Sequence, residues 1–453
     1  MNATLFRKAK AAGKTALQHI VITIQFFFKN SLFNHAAACA YGFLLSVAPM
    51  LLLICFFMLR AFNAPEQTII PLLKNIPFLD IVIDEQWLIN NFSTFSRPGL
   101  SGLITVLGIV WAGRILSVSL QRGLKIIFTG NKKRNAVTDN LETFAIEFAA
   151  LALSLVLIFS SQLALYLYNF FDFLPETLLI SLVSSRYGRS VFIAVMLWLV
   201  AFCAYSLIPA NPPRRVSTLR GSVLFIVAYE CASIVLGLLF MQARINFLYG
   251  ALGKLVVLMM NVYFFFMFFF IGAQFAFVAD SFDALLFTRI RQIRSKAVKK
   301  RRSRKFLSSA HTAKKLFFKV DGRLKKYHHF YRKGEIIFSR EDPGDEIYYI
   351  LEGEAEALIA SSPNSDCPAE TIGAGSFFGE MSYLLSEERS ATIRARTDIS
   401  VLALPPRVFE EVLRYDAGLN RTIIEHLTRR IKKGNDQIAA LSATANQQKP
   451  QFR

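Results

Sequence analysis

The sequence predicts an α-helical transmembrane bundle of six spans, followed by an α+β domain built on a β jelly-roll barrel. Three observations lead there. Hydrophobic residues make up 53% of the 453 positions and the mean hydropathy is positive, which is too apolar for a soluble globule of a length that accommodates two or three domains. Six apolar runs, near 36–59, 99–121, 143–171, 190–208, 221–241 and 255–279, approach or exceed the roughly 20 residues that a helix needs to cross a bilayer. From Tyr331 the pattern changes to short alternating segments punctuated by Gly334, Gly344 and Gly353, the mark of strands joined by tight turns.

The order of the elements fixes a topology. An even number of spans puts both termini on one side. Basic residues gather before the first span (Arg7, Lys8, Lys10, Lys14), between the second and third (Arg122, Lys125, Lys132, Lys133, Arg134), between the fourth and fifth (Arg214, Arg215, Arg220) and after the sixth. The remaining loops carry Glu66, Asp80, Asp84, Glu85, Asp172 and Glu176. Lys and Arg accumulate in cytoplasmic loops, so both termini are expected in the cytoplasm. The run from Ala36 has full span length and lacks a small-residue cleavage site, so it reads as a retained span rather than a signal peptide. The net charge of +20 decides nothing further, because membrane loops and anionic lipid account for it as well as nucleic acid does. Cys39, Cys55, Cys203 and Cys231 lie in apolar runs and Cys367 stands alone in a stretch read as a polar loop, so neither a disulfide framework nor a metal site is expected.

Several strings in the first half carry a resemblance: AAACAYGFLLSVAPMLLL in the first span, YSLIPANPPRR after the fourth, AYE around Glu230 in the fifth, and YGALGKL leading to IGAQFAF in the sixth. Together they resemble the YihY/BrkB family, also labelled ribonuclease BN-like, over about residues 15–285. The resemblance implies a six-helix bacterial inner-membrane protein. One position departs from it: where the family has Glu after the Gly-Ala pair of the last span, this chain has Gln274, and a protonatable group is lost.

Ionisable side chains inside spans are costly unless they meet a partner or water, which makes Glu230, Arg114 and Glu147 the candidate functional residues of the bundle. Glu230 sits mid-span. It serves either a transported solute or a structural tie to Arg114 or backbone, while Arg114 and Glu147 lie near span ends and are placed to snorkel. The phenylalanine run NVYFFFMFFFIG of the sixth span reads as lipid-facing packing.

Between the halves, residues 286–309 form a basic juxtamembrane linker with Arg289, Arg291, Arg294, Lys296, Lys299, Lys300, Arg301, Arg302, Arg304 and Lys305. Each such charge contributes about 1 kcal/mol near an anionic leaflet, so anionic lipid is the expected partner. Residues 289–305 hold no interleaved aromatics to stack bases, and no nucleic-acid partner is expected.

The second domain is expected over residues 310–440, with a disordered tail at 441–453 and the membrane domain at 1–285. Its informative string is FFGEMSYLLSEERSATIRA, preceded by YRKGEIIFSREDPGDEIYYILEGEAEALIA. Together these resemble the cyclic nucleotide-binding domain family and its phosphate-binding cassette. A compact cyclic phosphate is well held by free backbone N–H groups and a guanidinium fork. The resemblance implies that Arg389 pairs with the phosphate, Glu380 accepts from the ribose 2′-hydroxyl, Gly379 allows close backbone approach, and Ser390 and Ala391 add further contacts. The ligand expected is cAMP or cGMP, with no metal. Glu388 stands where the family often has Pro and adds a negative charge beside the phosphate. Ile423, Ile424, Leu427 and Ile431 share one face of a last helix, a candidate lid over the base. The competing reading of this domain is a barrel that keeps the fold and binds nothing.

No helix-turn-helix, carbonyl filter or Arg-repeat voltage sensor is found, and the six scattered histidines suit no nuclease centre. The expectation is therefore a non-enzymatic membrane protein regulated by cyclic nucleotide, either a transporter or, as the alternative, a sensor or envelope scaffold without transport. Self-association is compatible with both.

Overall fold

The computed structural model describes residues 2–60, 100–128, 186–242, 245–300, 322–362 and 365–416, and most of 418–432 as helix, with isolated positions beyond. The expected span at 143–171, Glu147, and the segment 301–321 of the linker and its flank lie outside the described residues. The chain divides into two compact units, Ile20–Asp280 and Met1–His19 with Ser281–Arg453.

The first of these units is helical. Helix α1 (Asn2–Lys29) ends at a turn where Ser31 takes a left-handed φ of 51°, and α2 (Leu32–Arg60), α3 (Leu100–Ile127), α4 (Arg186–Leu207), α5 (Arg215–Gln242) and α6 (Ile245–Asp280) follow. Among the described residues three helices are long and apolar enough to cross a membrane, at Ser190–Leu207, Arg215–Leu238 and Leu255–Asp280. Pro209 stops α4 and Pro213 precedes α5, since proline cannot continue a helix and suits a helix start. The loop between them is pinned to the end of α6 by Arg214, whose backbone N–H donates to Asp280 Oδ1 at 3.3 Å.

Helix α6 packs against α2, α3 and α5. It approaches α5 closely, since a Cβ on Gly272 would lie 2.7 Å from the carbonyl oxygen of Gly221, and the Tyr205 hydroxyl of α4 would lie 2.9 Å from the same Cβ. Small residues let helices approach this closely where burial from water offers no drive between them. Beside that crossing the fully buried Tyr205 donates to the carbonyl of Phe269 at 2.6 Å. The phenylalanine run does not face outward throughout as expected: Phe266, Phe269 and Phe270 are buried while Phe264, Phe265 and Phe268 are half-buried, and Phe225 of α5 meets Phe265 and Phe269 edge-on at 5.4 and 5.7 Å. Edge-to-face pairing between helices gives these rings a partner that lipid does not.

In the other unit the strands are β1 (His328–Tyr331), β2 (Ile336–Phe338), β3 (Ile347–Glu352), β4 (Glu354–Ser362), β5 (Ser365–Gly373), β6 (Phe377–Phe378), β7 (Thr392–Ala395) and β8 (Ile399–Leu404). They form two four-stranded sheets in the orders β1-β8-β3-β6 and β2-β7-β4-β5, antiparallel throughout. Ile350, Ile399 and Val401 from one sheet share a core with Ala355, Ile372 and Ile393 from the other. Cys367 lies in β5, opposite Ile359, and not in a loop. Strand β5 is at the edge of its sheet, and this is where a strand tolerates Pro368.

Helix α7 (Phe282–Lys300) covers the first fifteen residues of the segment expected to be a basic juxtamembrane linker. Its apolar residues Phe282, Leu285, Leu286, Phe287 and Ile290 are buried. The short helix α8 (Glu380–Leu385) follows β6, and α9 (Pro406–Tyr415) packs Val408, Phe409 and Val412 inward.

Candidate functional site

The site is built around one buried cation. Arg389 follows α8 in a loop that lies against the segment between β2 and β3, because its backbone N–H donates to the Asp342 carbonyl at 3.2 Å and its carbonyl accepts from Glu341 at 2.8 Å. Its side chain is 4% exposed. The guanidinium donates through one terminal nitrogen to the Gly379 carbonyl and the Ser382 hydroxyl, both at 2.9 Å, and through the other to the Glu346 carbonyl at 3.0 Å. It also lies over the Phe338 ring, 4.3 Å from the centroid. Its Nε is buried and has no hydrogen-bond partner. Among the described residues no carboxylate forms an ion pair with it. Burial pulls its ionisation below the ordinary arginine range, with Tyr348, Glu346, Asp345 and Asp342 opposing.

A buried cation whose partners are carbonyls and rings is a costly arrangement that a ligand anion relieves. Two glycines make room for it. A Cβ on Gly379 would lie 2.7 Å from one terminal nitrogen, and a Cβ on Gly344 would lie 2.8 Å from the other. Gly379 is also left-handed, with φ 79°, where it caps α8. Gly344 was read from the sequence only as a turn residue. Its φ is not positive, and what requires glycine is the guanidinium packed on it.

The other sequence-predicted residues are placed as follows. Glu380 is buried at 5% exposure in the first turn of α8 and lines a cavity with Gly375, Ser376, Phe377, Thr422 and Ile423. Ser390 is exposed and Ala391 half-buried, and Glu388 is exposed. Ser382 was not predicted, yet its buried hydroxyl accepts from Arg389 and reaches the Gly344 carbonyl at 3.2 Å. The predicted lid face divides. Ile423 is buried at the cavity, but Ile424 and Ile431 are 62% and 65% exposed, so the shared helical face is not covered. Tyr348 stands beside the guanidinium, its hydroxyl pushed up to about 12 by burial first and then by Glu346, to which it donates at 3.2 Å.

Helix α7 reaches this site from behind. Phe287 meets Tyr349 and Phe377 edge-on at 5.1 and 6.1 Å, and Phe377 in turn lines the cavity. Arg291 donates to Asp416 Oδ2 from Nε at 3.1 Å and from a terminal nitrogen at 2.6 Å. The other oxygen of Asp416 accepts from the Leu419 N–H at 3.1 Å, capping the helical residues 418–425 that carry Thr422 and Ile423. Arg294 donates to the Leu351 carbonyl at 3.4 Å. Two of the arginines expected to face lipid are thus committed inside the folded unit.

In the bundle, Glu230 on α5 and Arg114 on α3 are both half-buried. No ion pair joins them. Gln274 is fully buried and its Oε1 accepts from the Asn30 side chain at 3.3 Å, so the position that lost a carboxylate serves as a polar tie to the α1–α2 turn.

Residues 23–286, more than half of the chain, match the family described as Virulence factor BrkB. The chain belongs to the BrkB family. Residues 328–416 of this BrkB-family chain match the cyclic nucleotide-binding domain, the fusion that the two resemblances imply. Among curated proteins the chain is similar to an uncharacterized ABC transporter ATP-binding protein of Mycobacterium tuberculosis, 36% identical over 93 residues, which are 20% of this chain and 28% of that protein. It is also similar to a cyclic nucleotide-gated potassium channel of Rhizobium etli, 39% identical over 71 residues, or 16% of this chain and 18% of the channel. The chain thus spans under a third of the length of these relatives. Among solved structures it is similar to the catabolite activator protein of Thermus thermophilus, 27% identical over 25% of this chain and 54% of that one, with a TM-score of 0.24.

Proposed function

We propose that this BrkB-family chain is an integral protein of a bacterial inner membrane whose cytoplasmic domain binds cAMP or cGMP and thereby regulates a six-span bundle that acts as a transporter. The observation that carries the ligand assignment is Arg389, a buried guanidinium set between Gly379 and Gly344 that has an unused Nε and, among the described residues, no carboxylate partner. A cyclic phosphate supplies the missing anion, and a charge-assisted fork is the strong form of that contact. Glu380 in the cavity wall suits the ribose hydroxyl, and Ile423 and Thr422 suit the base. Proposed boundaries are 1–285 for the membrane domain, 286–309 for the linker and 310–440 for the ligand domain, the two sheets forming a jelly-roll barrel.

The test is calorimetric titration of the detergent-solubilised full chain with cAMP and with cGMP. Saturable binding of at least one is expected. A folded chain that takes up neither would leave the domain without a ligand and end the regulatory reading.

The transport half of the proposal is carried by Glu230, a half-buried carboxylate on a membrane-length helix that forms no ion pair among the described residues. Glu230→Gln is expected to assemble normally and to abolish solute flux in proteoliposomes. Flux that survives the change assigns Glu230 a structural role, and a sensor without transport becomes the better reading if no flux is seen in the unchanged chain either. Topology follows from loop charge: reporter fusions at Lys132 and at the C-terminus are expected to report cytoplasm, and fusions at Glu85 and Glu176 periplasm. A periplasmic C-terminus would separate the domain from its cytosolic ligand.

A further inference from the structure

Helix α1 presents an outward face that water does not suit. Leu17, Ile20 and Ile24 are each 50% exposed and Phe28 is 64% exposed, and at spacings of three, four and four residues they form one stripe along the helix. The inward side holds Gln18, Ile22, Thr23 and Phe27, all buried. The exposed side is therefore at least as apolar as the buried one, the reverse of a helix lying on a soluble core. Two further facts say what covers it. Residues 2–29 contain Arg7, Lys8, Lys10, Lys14 and Lys29 and no Asp or Glu, so the helix is purely cationic. The chain also enters the apolar helix α2 only two residues after α1 ends. With Lys14, Gln18 and His19 in its middle, α1 is not among the helices apolar enough to cross.

We propose that α1 is an interfacial helix that lies along the surface of an anionic bilayer. Its stripe Leu17–Ile20–Ile24–Phe28 sinks to the boundary between headgroups and acyl chains, about 5–10 Å deep, and the net positive charge of its sequence draws it to anionic headgroups. This surface is separate from the basic segment after α6 and does not depend on the ligand assignment.

The test uses the full chain with Cys39, Cys55, Cys203, Cys231 and Cys367 replaced, reconstituted in phosphatidylcholine vesicles with or without phosphatidylglycerol. Single cysteines at positions 17, 20, 24 and 28 carry a nitroxide, and its collisions with oxygen and with a water-soluble nickel complex give its depth. The expected result is that all four labels favour oxygen and sit at nearly equal depth. A helix crossing the bilayer would instead change depth by roughly 16 Å between positions 17 and 28. Lys14→Glu with Lys29→Glu is expected to make all four labels shallower in the anionic vesicles and to leave them unmoved in the neutral ones. A steep depth gradient, accessibility to the nickel complex at all four positions, or spin–spin broadening that shows a second copy on the stripe would each overturn the proposal. Equal depth without any response to the charge reversal would overturn its anionic-lipid component.

Discussion

Arg389→Ala is expected to weaken cyclic nucleotide binding by at least about tenfold, since a charge-assisted contact in a buried site contributes roughly 1.5–3 kcal/mol. The structure makes the effect larger than the loss of one contact. The same side chain holds the part-buried carbonyls of Gly379 and Glu346 and the buried hydroxyl of Ser382, so its removal takes a donor from three acceptors. Those acceptors lie on α8, at its N-cap and in the segment before β3, and the unliganded chain should also melt at lower temperature. Arg389→Lys keeps the charge without the planar fork and is expected to restore part of the stability but little of the affinity. Calorimetry with cAMP and cGMP, beside thermal unfolding of the unliganded chain, separates the two losses. Near-wild-type affinity in a folded Arg389→Ala chain would place the anion elsewhere. Glu380→Ala should cost less affinity, because it removes a neutral hydroxyl's acceptor and leaves the phosphate paired.

What could be read from the sequence was what local chemistry specifies. Gly379, Glu380 and Arg389 stand close together in one string, and both the left-handed cap at Gly379 and the short helix after it are local events. Gly344 and Ser382 were missed for a different reason. Each is needed by a guanidinium that reaches it across a loop, and nothing in its own neighbourhood says so. Periodicity placed Ile423, Ile424, Leu427 and Ile431 on one face, but it reports which residues share a side and not what lies opposite. Here Ile423 lines the cavity, whereas Ile424 and Ile431 stay exposed. Strand β5, SDCPAETIG, lacks apolar alternation and reads as loop because an edge strand pairs on one side only. The basic run after α6 hid the amphipathic helix α7 in the same way: its charges were counted together, although Arg291 and Arg294 turn inward with Phe287 and Ile290.

Asp416→Ala is the substitution expected to cost the most stability. The carboxylate is 5% exposed and its partner Arg291 16%, so desolvation is already complete on one side and nearly so on the other. Breaking such a pair by removing one member leaves an uncompensated charge and costs about 3–5 kcal/mol. Losing the side-chain cap on the Leu419 N–H adds at most about 1 kcal/mol, because that donor keeps the backbone carbonyl of residue 416 at 2.9 Å. Asp416→Asn should fall between, since it keeps an oxygen for the cap and loses the charge. Arg291→Met combined with Asp416→Ala should recover part of the loss, because the pair then disappears together and no lone charge stays buried. Thermal unfolding of the unchanged chain, Asp416→Ala, Arg291→Met and the double variant closes a double-mutant cycle, and a coupling energy near zero would show that the two side chains meet without stabilising each other. Since Asp416 touches neither Arg389 nor its glycines, nucleotide affinity of the folded Asp416→Asn chain is expected to change by less than the tenfold set for Arg389→Ala. A larger loss would show that the helix from 418 to 425, which Asp416 caps and which carries Thr422 and Ile423 to the cavity, must be held in place for the ligand to bind.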